Sequence, residues 1–389
     1  LMFPYLSEYL LEIWGPFRLF GSYLVLLSMG AFAGAVANWL LLPRLWRYMP
    51  RDQGKPFVKN SEEAKGKPTG AGSIVVGISL LLWIFLMPGT WRMWGMAVCL
   101  FLVMLTGFGD DCSEKPWSEM KKGLLDFVIS LAAAAIYCQC DSMVIWLPLI
   151  KGSAVGGGFL VPAWLYIPGA AALLWLSINA VNCSDGVDGL AGSLAMLALF
   201  SMGAFLYAVT GHMDISKYLL LPHYADGARW AVLIACVVGS LGGYLWHNAK
   251  PSSVLMGDAG SRFLGLLLGM SALASGNPVL VLVAAPMLLI NGGTGLVKLV
   301  MLRTLKRLGF DVRQPLRNVV NPQRVENFAS DDDVKKQLGL VRLAHRVRFP
   351  LHDHCRKNRN WSDTQVLVRF MLIQGFLTPL LILLIVKLR

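Results

Sequence analysis

The stretch WLYIPGAAALLWLSINAV (Trp164–Val181) is followed directly by NCSDGVDG (Asn182–Gly189) and then by LAGSLAMLALFSMGAFLY (Leu190–Tyr207). Each flanking run approaches the roughly 20 apolar residues that cross a bilayer as a helix. The joint between them is a short turn of Asn, Asp and Gly with no basic residue in it. This pattern predicts a helical hairpin through a membrane, with its polar chemistry at the membrane edge.

Runs of the same kind recur outward from this hairpin: Tyr23–Leu42, Ile74–Met87, Met93–Val103 and Leu124–Cys138 before it, then Trp230–Leu245, Phe263–Ala274, Val279–Val300 and Val366–Val386 after it. They predict an all-α polytopic membrane protein of about ten transmembrane helices, forming one integral membrane domain over residues 1–389. The shorter runs, Phe263–Ala274 above all, are also compatible with re-entrant or tilted segments. Hydrophobic residues make up 56% of the chain and charged ones 15%, against roughly a quarter charged in a soluble protein. That excludes an ordinary soluble enzyme. The segment Leu1–Arg18 lacks the basic start and small-residue cleavage site of a signal peptide and is expected to lie at the interface.

The net charge of +12 does not point to nucleic acid, because the cations are confined to alternate loops. Arg44, Arg47, Arg51, Lys55, Lys59, Lys65 and Lys67 lie between the first two spans, and Lys115, Lys121 and Lys122 after the third. A long loop at about 302–365 carries fourteen Lys and Arg. By the positive-inside rule these loops are cytoplasmic, which puts both termini outside. The polar clusters at Gly109–Lys122, Asn179–Gly189, His247–Arg262 and Arg303–Asn360 then all fall on the cytoplasmic side and can converge on one cleft. The seven cysteines show no metal-binding spacing, and Cys99, Cys138, Cys183 and Cys236 in or beside apolar runs are expected to pack.

Four clusters carry chemistry. Asp110 and Asp111 are adjacent carboxylates at the end of a span, which repel unless a cation or donor occupies the site. Adjacent residues do not share a helix face, so the two acids are expected to have separate tasks, one toward a metal or nucleophile and one toward a nearby Lys. Asn179, Asn182, Asp185 and Asp188 crowd the turn with Gly186 and Gly189. Asp258 in MGDAGS is a hard oxygen ligand between glycines, suited to Mg²⁺, and equally an N-cap. His352 and His354 flank Asp353 in a basic loop, where donation to phosphates is more natural than zinc ligation. Lys65-Gly-Lys-Pro-Thr-Gly-Ala-Gly-Ser73, with Thr69, adds cations and supple backbone but lacks the P-loop spacing.

Taken in order from Lys65 to the C-terminus, the PTGAGS loop, Asp110–Asp111, NAVNCSDGVDGLAG, MGDAGS and PLHDH resemble the polyprenyl-phosphate N-acetylhexosamine-1-phosphate transferases. Trp361 and the run Val366–Phe370 are similar to the branch that handles muramoyl-pentapeptide rather than N-acetylglucosamine. The resemblance implies a ten-helix, homodimeric enzyme of the bacterial inner membrane with a cytoplasmic active site. It implies Mg²⁺ as cofactor, UDP-N-acetylmuramoyl-pentapeptide and undecaprenyl phosphate as substrates, and lipid I and UMP as products.

Carried over by motif, the resemblance gives Asp258 the metal and makes Asp110 a base or orienter for the lipid phosphate, with Asp111 in support. Asn182, Asp185 and Asp188 fall on the nucleotide side, His352 and His354 on the diphosphate or sugar, and Thr69 and Lys65 line the same pocket. Lys121 and Lys122 are the candidates for a further active lysine. The chain departs from the family's pattern at Asp353 within the His motif, at Leu255 and Cys112 where aromatics are usual, and in the longer loop before the His motif. Direct displacement and an Asp nucleophile both remain open. A secondary transporter, the alternative of another class, would place its polar groups mid-membrane in broken helices with repeat symmetry, whereas here the acids stand at span ends and no repeat is visible.

Overall fold

The computed structural model describes residues 3–53, 65–87, 89–154, 157–315, 328–329 and 331–387. Lys55 and Lys59, and much of the long basic loop between 316 and 327, lie outside the described residues. Among the described residues ten helices reach 15 residues or more: α1 (Tyr23–Leu45), α2 (Gly72–Leu86), α3 (Trp91–Asp111), α4 (Glu119–Cys138), α5 (Ala163–Ser184), α6 (Leu190–Thr210), α7 (Gly227–Asn248), α8 (Gly257–Ala274), α9 (Pro286–Arg307) and α10 (Asp363–Lys387).

Seven of them, α1, α3, α5, α6, α7, α9 and α10, are long and apolar enough to cross a membrane. The other three differ for readable reasons. Helix α2 is apolar but only 15 residues long. Helix α4 opens on Glu119 and carries Lys121, Lys122 and Asp126, and α8 opens on Gly-Asp-Ala-Gly-Ser-Arg. The run Phe263–Ala274 is thus part of one continuous helix.

Helix α8 is the central post. Every residue from Ala259 to Ala274 is buried, and the helix packs against α3, α5, α6 and α2. Such close packing needs small residues where backbones cross, since lipid tails offer helices no hydrophobic drive to associate. A Cβ on Gly107 of α3 would stand 2.5 Å from the carbonyl oxygen of Asp258, and one on Gly265 of α8 would stand 2.5 Å from the Ile178 Cα of α5. Helix α1 packs on α7 in the same manner, around Gly34.

The apolar run Val279–Val300 is not one span, contrary to its reading as an uninterrupted segment. A short helix, Leu280–Ala284, stops at Ala285, and α9 starts afresh at Pro286, because proline supplies no N–H and its ring clashes with the carbonyl four residues back. A π-turn at Leu289–Gly293 follows, and the short helix Leu351–Asn358, which bears the His motif, packs against it. At the end of the bundle away from the start of α4, strands β1 (Met143–Ile145) and β2 (Phe159–Val161) form an antiparallel pair with Met143 opposite Val161.

Substituting Gly34 with Val should force α1 away from α7, since its Cβ would lie 2.7 Å from the Cys236 carbonyl oxygen. Overpacking of this kind costs about 1–3 kcal/mol. Thermal unfolding in detergent should show a lowered midpoint for Gly34→Val and none for Gly77→Ala, where the added methyl meets nothing within 4 Å.

Candidate active site

The last turn of α3 and the first turns of α4 and α8 meet at one end of the bundle. Helix α4 is started by Ser118, whose side chain accepts from the Lys121 N–H, and this phase turns Lys122 inward. The Lys122 Nζ lies 2.6 Å from Asp110 Oδ2 and 3.0 Å from Asp258 Oδ2. One ammonium therefore joins carboxylates from two other helices. Lys121, one residue earlier, is exposed and rests over the Trp117 ring at 3.3 Å. Of the two candidate lysines, only Lys122 enters the cluster.

Asp110 is 8% exposed, and its second oxygen accepts the Trp117 backbone N–H at 2.6 Å. Asp111 does a different job. Its two oxygens accept the backbone N–H groups of Asp258 at 2.9 Å and Ala259 at 3.0 Å, so it caps α8 where unpaired donors and the helix dipole favour an anion. The two acids thus have separate partners, a lysine for Asp110 and backbone N–H groups, rather than a metal or nucleophile, for Asp111. Gly257, at φ +73°, makes the sharp entry to α8; a Cβ there would strike the Asp111 carboxylate.

The PTGAGS loop closes over this corner by backbone hydrogen bonds with the irregular segment before α8. Leu255 N–H donates to Pro68, Ala71 N–H to Leu255 and Gly72 N–H to Met256, at 2.8, 3.1 and 3.0 Å. Thr69 is buried in that loop, and Lys67 Nζ donates to Ser252 Oγ at 3.0 Å. Lys65 is exposed at the loop's outer edge.

Asn182 reaches the same helix one turn on, donating to Ser261 Oγ at 3.0 Å. The turn that follows is pinned by Asn248, whose Oδ1 accepts from Gly189 N–H at 2.7 Å. Asp185 is exposed and Asp188 half-buried on this turn. His352 lies beneath it: the ring Nε2 sits against Gly186, while Nδ1 and the backbone N–H both face Asn291 Oδ1, at 3.1 and 2.9 Å. Arg356 Nη1 donates to the Gly186 carbonyl at 3.4 Å, and its Nε pairs with Asp363 at 2.7 Å.

Asp353 points elsewhere, to Lys357 at 3.3 Å. His354 Nδ1 accepts the Arg348 backbone N–H at 3.4 Å. The His helix thus touches the Asp-rich turn through His352 and Arg356.

Sequence reasoning gave no role to four residues that complete this picture: Ser261, Asn291 and the buried pair Asp126 and Arg262. Asp126 and Asn291 had a signal, being polar groups inside apolar runs, where such groups are expensive.

The model of glycosyl transferase family 4 matches residues 93–276 of the chain, which include every member of the carboxylate–lysine cluster. The phospho-N-acetylmuramoyl-pentapeptide-transferase of Treponema pallidum (strain Nichols) is 41% identical over 385 residues, covering 98% of this chain and 95% of that protein. The proteins of the same name from Helicobacter pylori and Bartonella quintana are each 28% identical, covering 93% and 79% of this chain and 94% and 76% of their own lengths.

Burial pushes the His352 imidazole down from 6.5 to about 4, so the ring is neutral in the folded protein at neutral pH. A base depressed on folding contributes stability fully above its unfolded pKa, and loses it as pH falls toward the folded value. The thermal midpoint should therefore drop between pH 6.5 and pH 4, and drop less in His352→Gln over the same window.

Proposed function

The chain belongs to the phospho-N-acetylmuramoyl-pentapeptide-transferase family, and from that premise we propose that it transfers phospho-N-acetylmuramoyl-pentapeptide from its UDP derivative to undecaprenyl phosphate. The products are lipid I and UMP, in the first membrane step of peptidoglycan synthesis. The observation that carries this reading is the Lys122 ammonium shared by Asp110 and Asp258 at the ends of three helices. It is a compact cluster of charge of the kind that phosphoryl transfer needs, since that chemistry is chiefly positioning and charge stabilisation.

In this reading all ten long helices span the inner membrane of a bacterium, with both termini outside and the cleft in the cytoplasm, and the enzyme works as a homodimer. The single domain extends over the whole chain, and the long basic loop at about 302–365 is cytoplasmic. The support is the alternation of Lys and Arg between loops.

The donor set suits Mg²⁺. Among the described residues no group of three His, Cys, Asp or Glu gathers into an all-protein cage. Asp258 and Asp110 gather hard carboxylate oxygens around the Lys122 ammonium, and Mg²⁺ takes one or two carboxylates when substrate phosphates complete its shell. Asp258 would hold the ion, which when bound draws negative charge from the diphosphate.

The chain's own residues would do the rest. A phosphate monoester has a second pKa near 6, so the lipid phosphate is largely dianionic at neutral pH and needs little base. Asp110, fixed by Trp117 and Lys122, would orient it. Lys122 would lend its ammonium to charge gathering on the phosphates, and Asp111 would hold the start of α8 in place. Asn182, Asp185 and Asp188 would serve the nucleotide side, with Thr69 and Lys65 at the PTGAGS edge and Lys121 at the rim. His352 and His354 would serve the diphosphate or sugar.

The test is release of UMP from UDP-N-acetylmuramoyl-pentapeptide in the presence of undecaprenyl phosphate, with and without Mg²⁺, beside UDP-N-acetylglucosamine. Asp258→Asn should lower turnover by several orders of magnitude while the protein stays folded; near-normal turnover at saturating Mg²⁺ would remove Asp258 as ligand. The two lysines separate more finely. Lys122→Met forfeits two charged hydrogen bonds of roughly 1.5–3 kcal/mol each and should cost about a hundredfold or more in kcat, whereas Lys121→Met should stay within about threefold, as befits a rim contact.

A further inference from the structure

Asp126 and Arg262 form an ion pair that the reaction does not call for. Both are almost fully buried, at 2% and 1% exposed. Arg262 directs Nε to Asp126 Oδ1 at 3.0 Å, and Nη2 closes on the same oxygen. Burying such a pair is not a route to stability, because apolar residues of similar volume in its place are often neutral or better. Its location suggests another reason for it.

Asp126 follows Lys122 by four residues on α4, and Arg262 follows Asp258 by four on α8. Residues four apart share a helix face. The pair is therefore a second rung, one turn deeper than the Lys122–Asp258 rung and of opposite polarity. Around the four groups the charges alternate: Lys122 beside Asp126 on one helix, Asp258 beside Arg262 on the other, with attraction across both rungs. The extensive packing of α4 is against α3 and α5, while that of α8 is against α3, α5, α6 and α2. Ion pairs thus link two helices that are not each other's main packing partners.

We infer that Asp126 and Arg262 are positioning residues for the transfer reaction, holding α4 and α8 in the register and rotation at which Lys122 meets Asp258 and Asp110. This inference rests on the function proposed above. A single unlinked pair can pivot about its one contact, whereas two rungs a turn apart fix both the rotation and the height of one helix against the other. The deeper rung also sets a charge of opposite sign behind each member of the upper one.

The test uses the full-length protein and the Mg²⁺-dependent UMP-release assay. The double substitution Asp126→Leu with Arg262→Met removes the rung and leaves apolar packing. It should keep its thermal midpoint and KM near those of the native protein, yet lose about tenfold or more in kcat, the scale of a sub-ångström misplacement. The reversal Asp126→Arg with Arg262→Asp keeps a pair but sets like charges along each helix, and should lose more. The conservative Arg262→Lys should restore most of the turnover.

A folded apolar double variant with native kcat would overturn the inference and leave the pair a packing element. If that variant does not fold, Arg262→Lys against Arg262→Gln decides: equal kcat in the two, at equal thermal midpoint, overturns it as well. Absence of Mg²⁺-dependent UMP release from the native protein would instead fail the functional reading, which keeps the two failures apart.

Discussion

A single ammonium group organises this molecule's working end. Lys122 lies between Asp110 and Asp258 at 2.6 and 3.0 Å, and each of the three comes from a different helix. Two carboxylates facing each other near an apolar phase repel unless a cation stands between them. Their approach is therefore conditional on the lysine, and the lysine's inward path is conditional on where α4 begins. Ser118 fixes that start. A small local choice, one hydroxyl capping one helix, sets which of two adjacent lysines enters the cluster.

The backbone makes a second demand. Helix α8 is buried from Ala259 to Ala274, and its first N–H groups, which have no partner within the helix, need acceptors. Asp111 supplies both of its oxygens to them. This explains why two neighbouring acids are not redundant: one faces the side-chain cation, the other completes a helix end. It also explains the glycines nearby, because Gly107 and Gly257 let α3 and the entry of α8 approach to the distance those hydrogen bonds require.

Much of this was legible in the sequence, for a physical reason. Apolar runs long enough to span a bilayer announce themselves, and carboxylates at their ends are costly enough to signal chemistry. Asp110 and Asp258 could be read in this way. The choice between Lys121 and Lys122 could not, since neighbours on a helix differ only in phase and the phase depends on the cap. The Asp126–Arg262 pair was obscured by the hydrophobicity around Asp126, which drew the whole run into one reading as a span. The same happened at Pro286, where the strength of the apolar run outweighed the proline that breaks it.

The His-Asp-His segment shows how far a motif's letters underdetermine its work. On the helix Leu351–Asn358 residues one and two apart point in different directions. His352 turns inward to Asn291 and Gly186, Asp353 to Lys357, and His354 to the Arg348 backbone. The two imidazoles therefore do not act as a matched pair. A carboxylate at 353 is compatible with an anionic substrate because it is engaged outward by a lysine on its own helix. The constraint at this motif falls on His352, which is buried, held neutral and wedged under the turn that carries Asp185 and Asp188. Arg356, one turn further on, grips the same turn from its Gly186 carbonyl and is itself held by Asp363 at the start of α10. The His helix is in this way a bracket between the last membrane helix and the Asn- and Asp-rich turn, and the spacing of His352 and Arg356 matters to it more than the identity of the residues between them.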